Sequence, residues 1–256
     1  IPAPGRRGPR AGLVYDGGLD RRHPRAATDE PMNAPARTSP STALPAATIE
    51  AYQREGSVVL RGAFADWVEP LRAGVERNMR EPGAYATENV KPEEGPIRFP
   101  GGRFFDDYCN WQRIPEFAAF VTQSPAAALA GARMRSQAVQ MFHEHILVKE
   151  PGTPKRTPWH QDMPYYCVDG MQTVSYWIPL DPVTEANTLR VVLGSHLWPR
   201  LVRPVSWAQG ESFYADDTAF MDLPDIDAGA AEGSIAILAP ALEPGDAIAF
   251  NYRSVH

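Results

Sequence analysis

Residues 138–150 read AVQMFHEHILVKE, and the segment combines apolar and polar side chains with a period close to two. Such alternation predicts a β-strand with one buried face. The downstream segments share its short length and its richness in β-branched and aromatic residues, and Pro, Gly or Asp turns separate them. These segments are MQTVSYWIPL (171–180), TLRVVL (188–193), SIAILA (234–239) and DAIAF (246–250). The succession predicts a mainly β fold, an antiparallel sandwich or jelly roll.

The pattern before residue 138 is mostly helical, which predicts helices packed outside the sheets. The helix signals include Gly56 as a stop, Asp66 as a cap for a helix through Arg80, and Ser124 as a second cap. The predicted elements are a helix at 48–56, a strand at 57–60, a helix at 66–80 with Trp67, Leu71, Val75 and Met79 on one face, a Gly- and Pro-rich loop at 93–108, and helices at 114–123 and 124–134.

Residues 1–45 have a different composition from the rest of the chain, with eight Pro, five Gly and seven Arg and hardly any periodic apolar pattern. A segment of this kind cannot bury a core. The chain starts at Ile1, and Met32 stands just before the ordered pattern begins. We therefore interpret 1–45 as a disordered or non-native segment and 46–256 as one domain.

Charge and composition exclude several classes of protein. With 25 Lys and Arg against 31 Asp and Glu, the net charge of -6 provides no basic field for nucleic acid. No apolar run approaches the roughly 18 residues that span a bilayer, and no signal peptide is evident. Two cysteines, Cys109 and Cys167, are too few for a disulfide framework. We expect a cytoplasmic protein with no nucleic-acid or membrane partner; the sequence does not indicate an oligomeric state.

The segment TPWHQDMPYY (157–166) places His160 and Asp162 one residue apart. In an extended chain residues i and i+2 project to the same side, so both side chains can reach one ion. A further imidazole would complete the three-ligand arrangement of non-haem Fe(II). The alternative interpretation is a loop histidine that hydrogen-bonds a nearby acid.

Other histidines could supply the third ligand. His143 and His145 are expected on one face of their strand, where they could chelate a metal or line the sheet, with Glu144 on the opposite face. Because Glu144 points away, no general base for a metal hydrolase is evident. His196 follows a Gly-Ser turn and suits a role in bracing a loop. His256 follows the turn PGD (244–246) and a predicted strand, and so can return to the mouth of a barrel.

With these residues in view, the sequence resembles the phytanoyl-CoA dioxygenase family of Fe(II)- and 2-oxoglutarate-dependent oxygenases over roughly residues 45–256. The resemblance implies a double-stranded β-helix, cupin-like, with helices packed outside it. It also implies that His160, Asp162 and His256 hold the iron. The matching segments are LVKEPGTPKRTPWHQDMPYY (147–166), SYWIPLDPV (175–183), LRVVLGSHLW (189–198) and PGDAIAFNYRSVH (244–256).

The family chemistry implied is hydroxylation of an unactivated C–H bond of a small organic substrate by O2, while 2-oxoglutarate is decarboxylated to succinate. Asp162 favours hydroxylation, because halogenases that resemble this family replace the carboxylate with a small residue. The resemblance also suggests residues near the co-substrate and substrate. These are Gln161, Trp177, His145, Arg103 and Lys149 for 2-oxoglutarate, and Phe142, Tyr165 and Tyr166 for an apolar substrate pocket.

The sequence departs from the family pattern after His256, where family members continue into a strand whose arginine binds the distal carboxylate of 2-oxoglutarate. We therefore expect a fragment that lacks its C-terminal strands. The alternative function is a non-redox, cupin-like protein that binds a metal and a ligand. The identity of the substrate cannot be read from these residues.

Overall fold

The structure is a computed structural model that describes residues 45–88, 104–151, 157–205 and 218–256. The described residues belong to one compact unit. The prediction for 1–45 therefore falls almost entirely outside them. Within the described residues the α-helices are α1 (Ala46–Glu55), α2 (Val68–Arg80), α3 (Pro115–Gln123), α4 (Ala126–Met134) and α5 (Ile226–Ala231).

The described strands are short and form antiparallel sheets. The strands are β1 (Ser57–Leu60), β2 (Thr87–Glu88), β3 (Phe104–Tyr108), β4 (His145–Lys149), β5 (Ser175–Trp177), β6 (Val191–Val192), β7 (Ile237–Leu238) and β8 (Ala247–Phe250). One sheet has the order β1-β8-β5, another the order β2-β3-β4, and β6 pairs with β7.

Strand β8 is the centre of its sheet, and all four of its residues are buried. Alternate side chains enter two different apolar clusters: Ala247 and Ala249 pack with Tyr52, whereas Ile248 and Phe250 pack with cluster members such as Val191. A strand covered on both faces reads as a continuous apolar run, as AIAF does. The strand is therefore held rigidly, and the segment that follows it starts from a fixed position.

Helix α1 ends at Gly56, as predicted, and the chain passes directly into β1. Gly56 has a φ of +73° and its amide donates to Tyr52 O at 2.8 Å. This left-handed conformation is the usual glycine end of a helix. A Cβ at this position would lie 2.3 Å from Nδ1 of His196, so glycine is also required by close packing.

Helices α2 and α3 pack together at Gly74 and Phe117, and Arg77 of α2 forms a two-pronged ion pair with Glu116 of α3. The predicted cap of α2 is wrong. Asp66 lies inside a 3-10 turn at Ala65–Trp67, and Trp67 occupies the position before the helix. At α4 Pro125 occupies the position before the helix, one residue after the predicted cap Ser124, whose hydroxyl accepts a hydrogen bond from the Ala126 amide at 3.2 Å.

Two boundaries differ from the prediction in the sheet β2-β3-β4. The end of the supposed loop, residues 104–108, forms β3, because it pairs in register with β4 over its full length. Conversely, regular strand structure in AVQMFHEHILVKE begins only at His145.

The expectation of a mainly β fold needs adjustment, because helices and short strands both build the described part of the chain. The complete double-stranded β-helix stays a prediction. Within the described residues, no helix has both the length and the apolar character needed to cross a membrane.

Candidate metal centre

The structure brings His160, Asp162 and His256 together. Their ligand atoms all lie within 4.8 Å of one another. Nε2 of His160 is 3.6 Å from Oδ1 of Asp162, and Nε2 of His256 is 3.7 Å from the same oxygen. His160 and Asp162 precede a 3-10 turn at Met163–Tyr165, and His256 follows β8 after a short turn. Two imidazole nitrogens and one carboxylate oxygen therefore form a triangle.

Reciprocal backbone hydrogen bonds fix the positions of the two histidines. The His160 amide donates to His256 O at 3.0 Å, and the His256 amide donates to His160 O at 2.9 Å. Such an exchange defines a directly opposed antiparallel pair. The imidazole centroids are 4.3 Å apart. Two ligands from distant parts of the sequence are thus held by one local backbone pairing.

The second ring nitrogen of each histidine is also fixed. Nδ1 of His160 is 2.9 Å from Pro158 O, and Nδ1 of His256 is 3.0 Å from Ser254 O. Since a carbonyl oxygen only accepts, Nδ1 is the donor in each ring. The lone pair of each neutral imidazole is then on Nε2, which faces Asp162. Metal-binding histidines are oriented in this way.

The geometry fits a small octahedral ion. Ligand bonds of about 2.1 Å at right angles place neighbouring ligand atoms about 3.0 Å apart. The two histidine–carboxylate sides of the triangle, 3.6 and 3.7 Å, need only a modest contraction to reach that distance. Two histidines and one carboxylate are the donor set of non-haem Fe(II) sites, and three positions stay open for other ligands. The residues present therefore fit Fe(II).

The electrostatics of the triangle also favour a cation. Burial, and then the neighbouring His160, lower the pKa of His256 to about 4, so its Nε2 lone pair is available at neutral pH. Burial alone would raise the pKa of Asp162. The neighbouring histidines, His256 first, and the Tyr166 hydroxyl nevertheless bring the pKa of Asp162 below its usual value. A charged carboxylate thus completes the donor set.

A cluster of aromatic rings lies beside Asp162. The Tyr166 hydroxyl hydrogen-bonds the carboxylate, and burial raises the pKa of Tyr166, so the hydroxyl keeps its proton and donates. The Tyr166 ring lies 5.1 Å from Phe142, 5.0 Å from His143 and 5.2 Å from Tyr252, measured between centroids. This ring cluster, made of Phe142, His143, Tyr166 and Tyr252, forms a wall beside the triangle.

An open cavity of about 620 Å³ adjoins the ring cluster at Phe142. Its lining is apolar, aromatic and amide in character, with no charged side chain among the residues that line it. The lining residues are Cys109, Trp111, Gln112, Val139, Gln140, Met141 and Phe142.

The structure places several predicted co-substrate residues in other surroundings. Both amide atoms of Gln161 hydrogen-bond backbone groups, namely Val202 N and Arg253 O. Trp177 packs against the apolar cluster that contains Ile248 and Phe250. Contact of Gln161 or Trp177 with 2-oxoglutarate stays a prediction, and the hydrogen bonds of Gln161 do not support it.

Two of the predicted co-substrate residues, His145 and Lys149, lie on strand β4. His145 pairs with Asp106, with 3.8 Å between Nε2 and Oδ1. Lys149 donates to the Thr157 hydroxyl at 3.1 Å, and its ammonium lies 4.7 Å from the centre of the Phe104 ring. Arg103 lies outside the described residues. Co-substrate binding by these residues also stays a prediction.

Of the predicted substrate residues, Phe142 and Tyr166 belong to the ring cluster. Tyr165 differs, because its hydroxyl exchanges hydrogen bonds with Val205 N and Val205 O, both at 2.9 Å. His143 and Tyr252 also belong to this wall, although neither was predicted there. The pattern FHEH gave a signal for His143, but it suggested His143 and His145 equally.

Comparison with solved structures places this geometry in context. The carbocyclase SnoK, a non-haem α-ketoglutarate-dependent enzyme of nogalamycin biosynthesis, is 19% identical with a TM-score of 0.61, over 83% of this chain and 76% of SnoK. The epimerase SnoN, in complex with Fe³⁺, α-ketoglutarate and nogalamycin RO, is 18% identical with a TM-score of 0.57, over 82% and 75%. EctD from S. alaskensis, with 2-oxoglutarate and 5-hydroxyectoine, is 22% identical with a TM-score of 0.57, over 83% and 69%.

These likenesses show a shared fold. A comparison with curated proteins found no match. The family comparison is decisive, since the phytanoyl-CoA dioxygenase model matches residues 52–256, which include all three ligands of the triangle. The chain therefore belongs to the phytanoyl-CoA dioxygenase family and is a 2-oxoglutarate-dependent, non-haem iron dioxygenase-like enzyme that uses Fe(II), 2-oxoglutarate and O2.

Proposed function

We propose that this protein hydroxylates an unactivated C–H bond of a small organic substrate on a double-stranded β-helix scaffold. The reaction consumes O2 and 2-oxoglutarate and yields the alcohol, succinate and CO2, so that one oxygen atom enters the substrate and the other enters succinate. The observation that carries the proposal is the triangle of His160, Asp162 and His256, in which both histidines present Nε2 to one carboxylate.

The three ligands have separate tasks in this proposal. His160 and His256 bind through Nε2 while their Nδ1 protons stay on backbone carbonyls, so neither ring can rotate without losing a hydrogen bond. Asp162 offsets part of the charge of the ion. Bound Fe(II) would supply open positions for a 2-oxo acid and for O2, together with the redox chemistry that activates O2.

The ring cluster and the cavity suit an apolar, uncharged part of the substrate. Phe142 belongs to both, so a molecule in the cavity would approach the metal along the rings of Phe142 and Tyr166. Aromatic walls of this kind exclude water and orient ligands by contact area. Trp177, His145, Lys149 and Arg103 stay proposals for co-substrate binding.

Two other outcomes belong to the same class of chemistry, because SnoK is a carbocyclase and SnoN an epimerase. Hydroxylation adds one oxygen atom to the substrate, whereas epimerisation leaves its mass unchanged and ring closure by oxidation removes two hydrogens. The mass of the product therefore distinguishes the three. Family membership weighs against the alternative of a non-redox, ligand-binding protein.

The test uses the full-length protein with Fe(II) and 2-oxoglutarate. We expect a visible charge-transfer absorption without O2 and formation of succinate on exposure to air. Asp162→Ala should abolish both signals, because it removes the only carboxylate of the triangle. The matched control is Asp181→Ala, since the Asp181 side chain is 91% exposed, and it should retain both signals. Absence of absorption and of succinate in the parent protein would refute the proposal.

A further inference from the structure

Gln161 stands between two metal ligands in sequence, yet its side chain is only 1% exposed and binds protein backbone. We propose that Gln161 is a positioning residue that sets the distance between the loop bearing His160 and Asp162 and the turn bearing His256. This inference rests on the metal site of the proposed function. It assigns Gln161 to the assembly of the metal site, where the sequence had suggested contact with the co-substrate.

The Gln161 carboxamide joins three segments. Its Oε1 accepts from the Val202 amide at 2.7 Å, and its Nε2 donates to Arg253 O in a short hydrogen bond. His160 and Asp162 meet at the metal site, with Nε2 and Oδ1 3.6 Å apart, while the Gln161 carboxamide between them in sequence is held by Val202 N and Arg253 O. The loop therefore offers two ligands to the metal site and is anchored through the residue between them.

Both partners of Gln161 are themselves fixed. Val202 is 4% exposed and packs in the apolar cluster that also contains Val255. The Arg253 guanidinium donates to His196 O and Trp198 O, both at 3.1 Å. Because the anchors cannot easily move, the two hydrogen bonds define where the loop lies.

The turn that carries His256 is also held together by hydrogen bonds, and Arg253 is part of it. Asn251 Oδ1 accepts from the Arg253 amide at 2.9 Å, and Asn251 O accepts from the Ser254 amide at 2.8 Å. Ser254 O in turn orients the His256 ring. A bond from Gln161 to Arg253 O thus restrains the turn that ends at the third ligand, in addition to the backbone pairing of the two histidines.

An amide is the suitable group here, because it offers a donor and an acceptor on one rigid plane. Gln161→Glu keeps an acceptor for Val202 N but sets a carboxylate oxygen against Arg253 O. Gln161→Met keeps the approximate volume and removes both bonds, which leaves a buried donor and a buried acceptor without partners.

The experiment measures Co(II) binding by visible absorbance on the full-length protein without O2, and thermal unfolding of the same samples without metal. We expect both Gln161 variants to bind Co(II) at least about tenfold more weakly, as is typical when a group that orients metal ligands is lost. Asn78→Ala is the matched control, since Asn78 is a fully buried amide that bonds Asp107. It should lower the unfolding temperature and leave Co(II) affinity unchanged.

Each other result has a distinct meaning. Parent-like Co(II) affinity in a folded Gln161 variant would overturn the inference and leave the metal site intact. Unchanged Co(II) affinity with weaker 2-oxoglutarate binding would also overturn it, in favour of a co-substrate role. An equal loss of Co(II) affinity in Asn78→Ala would also overturn the inference, because the loss in the Gln161 variants would then reflect general instability of the fold. Failure of the parent to bind Co(II) would instead contradict the metal site itself.

Discussion

Substitution of Asp246 tests how the turn before β8 supports the whole scaffold. Asp246 is 6% exposed, and its carboxylate accepts from the Gly62 amide at 2.7 Å, the Glu243 amide at 3.1 Å and Arg61 Nη1 at 2.6 Å. In Asp246→Asn one oxygen becomes an amide nitrogen, so at least one backbone donor loses its acceptor. That loss costs about 1–3 kcal/mol. The Arg61 pair adds at most about 1 kcal/mol, because Arg61 is 59% exposed.

We therefore expect Asp246→Asn to lower the free energy of unfolding by about 2–3 kcal/mol, or the unfolding temperature by about 4–12 °C. The control Arg61→Gln should cost less than about 1 kcal/mol. Urea and thermal denaturation measure both. Equal stability of parent and Asp246→Asn would refute the reasoning, as would an Arg61→Gln loss as large as that of Asp246→Asn.

The hydrogen bonds to the Asp246 carboxylate also predict that the stability of the fold depends on pH. Burial alone would raise the pKa of Asp246, but the hydrogen bonds from Gly62, Arg61 and Glu243 lower it below its usual value. A group with a lowered folded-state pKa stabilises the fold above its unfolded pKa, near 4, and this contribution is lost as the pH falls through the folded-state pKa. The stability difference between parent and Asp246→Asn should be constant at neutral pH and narrow in acid. A stability difference between parent and Asp246→Asn that widens in acid would contradict a lowered pKa of Asp246 in the folded state.

Two further substitutions test the ring cluster and the end of α1. Tyr166→Phe should weaken Co(II) binding about tenfold, because Asp162 loses a hydrogen bond that orients it, and an unchanged titration would exclude that role. Gly56→Ala should destabilise the fold more than Gly62→Ala in thermal unfolding. Both glycines have a positive φ, so alanine strains the backbone at either position. A Cβ at Gly56 also meets the His196 ring, whereas a Cβ at Gly62 has nothing within 4 Å. Equal losses of stability in the two variants would show that backbone strain alone is responsible.

The sequence predicts best those features that depend on neighbouring residues. Gly56 ends α1 because a left-handed residue is needed there, and this requirement is visible locally. The i, i+2 spacing of His160 and Asp162 was also a local signal, and the structure brings the two side chains together. The period-two segments gave the expectation of a jelly roll and the turn PGD made His256 a candidate, whereas the family resemblance supplied the double-stranded β-helix and the assignment of His256 as a ligand.

Features that depend on distant partners were not predictable in the same way. Residues 104–108 follow a Gly- and Pro-rich run and contain two aspartates, so they read as a loop. Asp107 is nevertheless fully buried, since Asn78 and Gly83 donate to it at 2.9 and 2.7 Å. Gln161 is a similar case, because its partners lie 41 and 92 residues away in sequence.

The histidines of FHEH show a second limit of prediction from sequence, namely the position at which a strand begins. Their spacing predicted a common face, but that rule holds only inside a strand, and β4 begins at His145. His143 therefore joins the ring cluster while His145 pairs with Asp106 on β3. The prediction that Glu144 points elsewhere is consistent with its hydrogen bonds to the amides of Asn110 and Trp111.

The pairing of β1 with β8 has a consequence for biosynthesis. Ser57 pairs with Phe250, so β1 cannot form its sheet during synthesis until β8, which lies far along the chain, has also been translated. Until β8 emerges, β1 has an unpaired edge and the apolar clusters on both faces of β8 lack their shared centre. Folding of this sheet therefore depends on contacts between residues far apart in sequence, and apolar surface stays exposed for long during synthesis. Expression at low temperature or with chaperones should raise the yield for that reason.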